Sequence, residues 1–355
     1  MITSNSRRMR VVAASGAIAA LALIAGCSSD TTTDETTAPE ATGTMAAGSD
    51  VGTDVGGGEP VVIGFSGPAA DHGWLGAINS AAIAEAAKYD DVTLKVAEGT
   101  NDVNLQISQV ETFVNDGVDA IVLLPTDGAS LTEAALNAMA AGIPVINVDR
   151  EFSSTDASRV TILGDNYGMG VSAGEYICGE LGDNPDAIVG EIAGIDSLPL
   201  TQDRSAGFKD ALTECGLSVD ARVAADFTIA GGQQVTEQLL SANPKIDAIW
   251  NHDDDQGIGV LAAIDAAGRD EFFMVGGAGS LNAMEAIKAD DTVLKATVIY
   301  PSTQAADGIA LARLVAQGSN MPGLASAGVP VRIVLDAPVV TKDNVDDFMA
   351  IGFES

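Results

Sequence analysis

Polar and aromatic residues that directly follow apolar segments are the side chains best suited to chemistry in this chain. Carboxylates can accept hydrogen bonds from two hydroxyl groups, while arginines and amides donate in fixed forks. Aromatic rings can pack on the C–H faces of a sugar. These residue types together predict a binding site for a polyhydroxyl ligand. The candidates are Ser66, Asp71, His72, Trp74, Asp149, Arg150, Gln202, Arg204, Phe227, Asp253 and Tyr300.

The pair Asp149 and Arg150 differs from the other candidates because it directly follows the predicted strand 144–148, which is apolar except for Asn147. An acid–base pair at the end of a buried strand is expected to be desolvated, and charges interact strongly there. Ser66, Thr126 and Asp165 have a simpler alternative, since polar residues after strands also cap helices and satisfy loops. The sequence leaves both roles open for these three.

These residues do not form a good candidate for a catalytic site, a metal site or a cofactor site. Ser66, Asp71 and His72 have the residue types of a nucleophile triad, but we expect no Gly-x-Ser-x-Gly elbow in this chain. The chain has two histidines and no cysteine–histidine cluster, which disfavours a transition-metal site. The acidic run 253–255 lacks a glutamate at EF-hand spacing. With no P-loop and no dinucleotide fingerprint after a strand, we expect a protein that is not an enzyme and needs no metal or cofactor.

The elements that must position these residues alternate along the chain from residue 60 onward. Residues 120–124 form a fully apolar run, typical of a strand in a parallel sheet covered on both faces. Two successive series of strands and amphipathic helices predict an α/β fold of two doubly wound, Rossmann-like lobes. Right-handed crossovers bring the carboxyl ends of the strands to one edge of each sheet, so two facing edges would form a cleft.

The charge of the chain excludes several kinds of partner. Its 50 acidic and 17 basic residues give a formal net charge of -33. Nucleic acid needs a basic surface, and so does docking on anionic lipid. An anionic ligand is disfavoured for the same reason. A solvated acidic coat that keeps an exported protein soluble is the simpler interpretation.

The N-terminal segment is predicted to be an export signal. A basic head at residues 7–10 precedes an apolar run of small residues at 11–26, too short for a comfortable membrane span. Residues 24–27 resemble a bacterial lipobox, which implies cleavage after residue 26 and lipidation of Cys27. Residues 27–59 are rich in Ser, Thr, Gly, Ala and Asp and predict a disordered tether. An ordinary signal peptide that happens to contain a cysteine is the alternative.

Two further cysteines, Cys178 and Cys215, each lie on a predicted helix. Outside the cytoplasm such a pair can oxidise, and we expect a disulfide between them. Two free buried thiols are the alternative.

Four segments together resemble the type I periplasmic binding proteins of ABC importers, in particular the ribose-type sugar-binding proteins. These segments are residues 117–127, 142–150, 164–166 and 203–208, and the resemblance extends from about 61 to 340. It implies two lobes joined by a three-segment hinge, with crossings near 163–164, 299–301 and 323–330. The implied lobes are residues 60–163 plus 301–325 at the N-terminal side and 164–300 plus 326–341 at the C-terminal side.

The resemblance also implies ligand contacts, and this chain departs from several of them. The sugar ligands of the family fall on Ser66, Asp149, Arg150 and Phe227, with first-loop contacts near Asp71 or His72 and near Trp74 and Leu75. Leu124 and Asp253 stand where asparagines are expected, Gln202 replaces the first arginine of an Arg-x-Arg motif that ends at Arg204, and Tyr300 replaces a hinge glutamine. An aspartate expected in the second lobe is replaced within residues 277–279. We therefore expect the ligand to differ from ribose.

The function implied is capture of a small neutral monosaccharide or polyol and its delivery to an ABC permease. The lipobox implies attachment to the outer face of the cytoplasmic membrane through the lipid alone, and we expect a monomer. A sensor that presents its closed form to a membrane receptor is the alternative, and the sequence does not separate the two.

Overall fold

The computed structural model describes residues 58–182, 184–321 and 328–355. The strands within these ranges are β1 (Val61–Ser66), β2 (Val92–Val96), β3 (Ala120–Leu123), β4 (Val145–Val148), β5 (Val160–Gly164), β6 (Val189–Ala193), β7 (Val219–Ala224), β8 (Ala248–Asn251), β9 (Phe273–Ala278), β10 (Leu294–Ile299), β11 (Arg332–Leu335) and β12 (Val339–Thr341). The helices are α1 (Gly73–Ala86), α2 (Val103–Asn115), α3 (Gly128–Ala140), α4 (Asn166–Leu181), α5 (Pro199–Glu214), α6 (Ile229–Ala242), α7 (Asp254–Ala267), α8 (Leu281–Ala289), α9 (Gln304–Ala316) and α10 (Val345–Phe348). The predicted signal peptide, Cys27 and nearly all of the predicted tether lie outside the described residues.

Two six-stranded sheets organise the chain. The first has the order β2-β1-β3-β4-β5-β11, and every neighbouring pair in it is parallel. The second has the order β7-β6-β8-β9-β10-β12 and is parallel except for β12, which pairs antiparallel to β10. In each sheet, the second strand of the lobe lies on one side of the first strand and the later strands lie on the other side, as in doubly wound sheets. The predicted α/β fold class is confirmed.

Helices cover both faces of each sheet, which explains why the central strands are mostly apolar. In β3, Ala120 and Val122 pack with residues of α1 and α9, while Ile121 and Leu123 pack with residues of α2 and α3. Alternate residues of a strand point to opposite faces, so a strand between two helical layers, such as β3, buries side chains on both faces and is predominantly apolar. In the second sheet the layers are α4 and α5 on one face and α6, α7 and α8 on the other.

The chain passes between the two lobes at three places. The first two crossings lie between β5 and α4 and between β10 and α9. The third lies between β11 and β12, at residues 336–338, because β11 pairs with β5 of the first sheet. The predicted third crossing at 323–330 is therefore wrong, and residues 332–335 belong to the N-terminal lobe instead of the C-terminal one.

Helices α4 and α5 pack closely against each other and are joined by the Cys178–Cys215 disulfide, whose Cα atoms lie 6.1 Å apart. Gly170 allows this approach, since a Cβ built there would lie 2.0 Å from the carbonyl oxygen of Arg204. The two helix backbones thus touch at the position of Arg204. In the part of the chain that the structure describes, no helix has the length and apolar character to cross a bilayer.

Candidate functional site

A cleft lies between the two lobes, at the carboxyl edges of both sheets. The N-terminal lobe contributes residues that follow β1 and β4, and the C-terminal lobe contributes residues of α5 and residues that follow β7, β8 and β10. The open space among them, with the solvent at its mouth, is about 320 Å³. The lining residues are His72, Trp74, Asp149, Arg150, Leu200, Arg204, Phe227, Asp253 and Tyr300.

Asp149 and Arg150 form the polar wall of the N-terminal lobe. Asp149 follows β4 with a φ of +63°, a left-handed backbone uncommon outside glycine, and it is 4% exposed. Its Oδ2 lies 3.7 Å from Nε of Arg150, whose Nη1 donates to the carbonyl of Thr126 at 2.7 Å. A costly backbone conformation at a buried charge suggests a functional constraint. Here it presents the carboxylate to the cleft beside a fixed guanidinium.

His72 and Trp74 flank the first residue of α1 and add aromatic surface to the same wall. Asn101 Nδ2 donates to Oδ2 of Asp71 at 2.9 Å, and Oδ1 of Asp71 lies 2.7 Å from Nδ1 of His72. This chain of contacts fixes the imidazole plane. The ring stacks on Phe227 of the opposite lobe, with centroids 6.2 Å apart. The two lobes therefore meet through aromatic surfaces at the cleft.

Arg204 is the fixed cation of the C-terminal lobe. Its Nε donates to Oδ1 of Asn166 at 2.9 Å, and its Nη1 donates to the carbonyl of His252 at 3.1 Å. The guanidinium also lies 4.4 Å from the ring centroid of Tyr300, within cation–π range. Because Arg204 is only 3% exposed, its position is set by the protein before any ligand arrives.

Tyr300 connects the two lobes at the second crossing. Its hydroxyl donates to Oδ1 of Asp149 at 2.5 Å and accepts from Nδ2 of Asn166 at 3.1 Å. Its carbonyl accepts from Nε1 of Trp74 at 3.1 Å. Burial, together with the nearby Asp149 carboxylate, raises the pKa of the Tyr300 phenol well above its usual range. The phenol thus keeps its proton and remains a donor to Asp149.

Phe227 forms the apolar wall opposite His72. Its φ is +67°, which is unusual for a bulky side chain. The backbone N–H donates to Oε1 of Gln256 at 3.0 Å and secures this conformation. The ring lies directly over Gly194, where a built Cβ would be 2.0 Å from it.

Two buried titratable groups lie at or behind the C-terminal wall. Asp253 caps α7 by accepting from the N–H of Gln256 at 3.1 Å, and burial and the neighbouring Asp255 raise the pKa of its carboxyl. Burial lowers the pKa of His252 to about 4. Its imidazole is therefore neutral at neutral pH, with Nε2 lying 3.0 Å from Oε1 of Glu191. The His252 backbone supports Arg204 without adding a second positive charge.

The fold and the cleft can now be compared with known proteins. The family described as "Periplasmic binding protein domain" matches residues 63–320. The ribose import binding protein of Bacillus subtilis (strain 168) is 32% identical over 249 residues, covering 68% of this chain and 79% of the relative. The chain belongs to the periplasmic binding protein family.

Solved structures of other periplasmic binding proteins agree with this assignment. An ABC transporter solute binding protein from Bacillus halodurans C-125, with bound myo-inositol, superposes with a TM-score of 0.74 at 26% identity, covering 83% of this chain and 99% of that one. The fructose binding periplasmic domain of a hybrid two component system gives a TM-score of 0.71 at 27% identity, covering 82% and 93%. The type I periplasmic binding protein fold predicted from the sequence is confirmed.

The structure brings most of the predicted residues to the cleft, but three of them lie elsewhere. Ser66 is buried and donates to Oε1 of Gln109 at 2.8 Å, so it faces α2. Asp71 is half-exposed and does not line the cleft, but its carboxylate contacts the imidazole of His72. Gln202 is exposed on α5 and donates to the carbonyl of Asp196 at 3.0 Å. These residues support the walls of the cleft or its surroundings without lining it.

The structure also adds residues that the sequence analysis did not select. Leu200 lines the cleft from the first turn of α5. Asn166 bridges Arg204 and Tyr300, and Asp255 accepts from the backbone N–H of Trp74 at 2.9 Å across the lobes. Asn166 is the second residue after β5, so its position near a strand end is a signal similar to that of Asp149. Leu200 and Asp255 carry no comparable signal, since their roles depend on how the helix termini face the cleft.

Neither a metal centre nor a hydrolase elbow is formed by the residues the structure describes. Among residues 58–182, 184–321 and 328–355, no three His, Cys, Asp or Glu side chains are grouped so that they could hold a metal ion. A Gly-x-Ser-x-Gly pattern does occur at residues 170–174, but it lies inside α4 and not at a turn between strand and helix. The hydroxyl of Ser172 donates to the carbonyl of Ala337 at 2.9 Å.

Proposed function

We propose that this protein is an extracytoplasmic solute-binding protein that captures a small neutral sugar or sugar alcohol between its lobes and delivers it to an ABC permease. The convergence of Asp149 and Arg150 from one lobe with Arg204 and Phe227 from the other is the observation that carries this proposal. A hydroxyl group can donate to the carboxylate and accept from the guanidinium groups, while the rings cover its C–H faces. The carboxylate disfavours an anionic ligand, and the guanidinium groups disfavour a cationic one.

Binding would proceed by closure of the lobes around the ligand. The three crossings provide a hinge, and closure excludes water, which strengthens every polar contact in the cleft. The contacts Tyr300–Asp149 and Trp74–Asp255 bridge the lobes and would contribute to the closed form. Closure must be only weakly favourable by itself, because a ligand shifts the equilibrium by its differential affinity for the closed form and must later be released.

Thermal-shift measurements with a panel of polyhydroxyl compounds test this function. Ribose, fructose, myo-inositol, arabitol and glycerol are suitable probes, with amino acids and gluconate as charged controls. A ligand present at 100 times its dissociation constant should add about 2.7 kcal/mol to the free energy of unfolding. Stabilisation by an amino acid or by gluconate, with none by a neutral polyol, would contradict the proposal. Recovery of the bound sugar unchanged would support a binding protein over an enzyme.

We further propose that Cys27 is acylated and that the protein works as a monomer tethered to the outer face of the cytoplasmic membrane. The lipobox-like residues 24–27 and the polar composition of residues 28–59 support this. Cys27→Ser should move the protein from the membrane fraction to the medium or periplasm, whereas Ser29→Ala should leave it in the membrane fraction. Retention of the Cys27→Ser protein in the membrane fraction would contradict a lipid anchor.

Sensing is the second candidate function, favoured by the similarity to the fructose binding domain of a hybrid two component system. In that case the closed form would contact a receptor instead of a permease. Loss of ligand uptake on deletion supports transport, while normal uptake with loss of a ligand-induced transcriptional response supports sensing.

A further inference from the structure

The side chain of Tyr300 occupies the floor of the cleft. It extends from the end of β10 and is 3% exposed. Gly164 lies directly beneath the ring, since a Cβ built there would be 2.1 Å from Cε2 of Tyr300. The Trp74 ring lies beside it at a centroid distance of 5.4 Å, and the Arg204 guanidinium covers it at 4.4 Å. Contacts from β5, α1 and α5 therefore hold the phenol in one position, and moving it out of the cleft would break contacts with both lobes.

The Tyr300 hydroxyl also occupies a hydrogen-bond acceptor that a ligand could otherwise use. It donates to Oδ1 of Asp149 at 2.5 Å, which uses one of the two acceptor positions of that oxygen. Oδ2 of the same carboxylate lies 3.7 Å from Nε of Arg150. Arg204 is similarly engaged through Nε and Nη1. Part of the hydrogen-bonding capacity of Asp149 and Arg204 is therefore already used within the protein, and the Tyr300 ring fills the floor of the cleft.

We propose that Tyr300 is a specificity-determining residue that limits the size of the ligand. The phenol fills space that part of a larger ligand would need. The site therefore accepts sugars and sugar alcohols of about five carbons or fewer in preference to six-carbon rings. This inference rests on the proposed function and narrows its ligand class. A purely structural role for Tyr300 would alter stability but leave the order of ligand preference unchanged.

Measured affinities of Tyr300 variants for ligands of graded size test the proposal. The probes are erythritol, D-arabitol, D-ribose, myo-inositol and D-glucose, and the readout is the ratio of dissociation constants for six-carbon rings and five-carbon ligands. Tyr300→Ala should change this ratio at least tenfold, in the direction of tighter binding of six-carbon rings relative to five-carbon ligands. Tyr300→Phe keeps the ring and should preserve the original order. Tyr300→Leu retains apolar packing but is shorter, so it should shift the ratio in the same direction as Tyr300→Ala. It replaces Tyr300→Ala in the test if the alanine variant does not fold.

Tyr176 provides the matched control, because it is a partly buried tyrosine of α4 that packs edge-on against Phe273, outside the cleft lining. Tyr176→Ala should change stability without changing the ratio. An unchanged ratio in both Tyr300→Ala and Tyr300→Leu, with wild-type protein binding at least one probe, overturns the size limit alone. If wild-type and variant proteins bind none of the five probes, the proposed function fails and the size limit fails with it. A ratio shifted as much by Tyr300→Phe as by Tyr300→Ala also overturns the proposal, since the ring would then not be the determinant.

Discussion

Asp149→Asn is expected to weaken ligand binding by about 2 to 5 kcal/mol, or about 30-fold to 5,000-fold in the dissociation constant. Asp149 is 4% exposed and is the carboxylate that Arg150 and a ligand hydroxyl would share. Removing its charge leaves the Arg150 guanidinium without its counter-ion in a desolvated cleft, and it removes an acceptor that bonds strongly to hydroxyl groups. Isothermal titration calorimetry with the ligand found by the thermal-shift panel measures the loss.

Asparagine is the appropriate replacement because the backbone φ of Asp149 is +63°. Asparagine tolerates this left-handed conformation, whereas alanine would add a backbone penalty unrelated to the ligand. Asp102→Asn is the matched control, since Asp102 caps α2 by accepting from the N–H groups of Asn104 and Leu105. Asparagine is as good a helix cap as aspartate, so this variant should bind normally. If the Asp149→Asn and Asp102→Asn proteins bind the ligand with equal affinity, Asp149 does not contact the ligand.

Much of the fold follows from the apolar pattern of the central strands. A run such as residues 120–124 is apolar at every position because helices cover both faces of β3. The pattern restarts after β5, which is sufficient to predict two lobes. The third crossing could not be predicted in the same way. Strands β11 and β12 are both short, lie at sheet edges and differ little in composition, so their periodicity does not tell which sheet each one joins.

The candidate site was predictable to the extent that it follows the strand ends. In parallel sheets these ends share one edge, which is why Phe227 and Tyr300 of the second sheet meet although they are far apart in sequence. The rule does not tell which way a side chain points. Ser66 closes β1 but turns toward α2, where it contacts Gln106 and Gln109. The interlobe contacts of Tyr300 were also beyond the sequence, because they depend on how closely the two lobes approach.

Gly73, the first residue of α1, lies where the two lobes approach each other closely. A Cβ built on it would lie 2.5 Å from Oδ1 of Asp255 and 2.8 Å from the carbonyl oxygen of Glu354. Both neighbours belong to the C-terminal lobe, since Asp255 lies on α7 and the segment before Glu354 pairs with Ser280 through Phe353. A side chain at Gly73 would therefore obstruct closure without disturbing the N-terminal lobe itself.

Gly73→Ala is accordingly expected to destabilise the closed form by about 1 to 3 kcal/mol, the usual cost of overpacking a close contact, and to weaken ligand binding by about 5-fold to 150-fold. The melting temperature without ligand should change little, because alanine is at least as good as glycine in a helix. Gly76→Ala is the matched control on the same helix, where the nearest atom to a built Cβ is 4.0 Å away. Small-angle scattering with saturating ligand should show the Gly73→Ala protein more open than the Gly76→Ala protein. Identical affinity and scattering for the two variants would mean that closure does not require the approach of Asp255 and the C-terminal segment to α1.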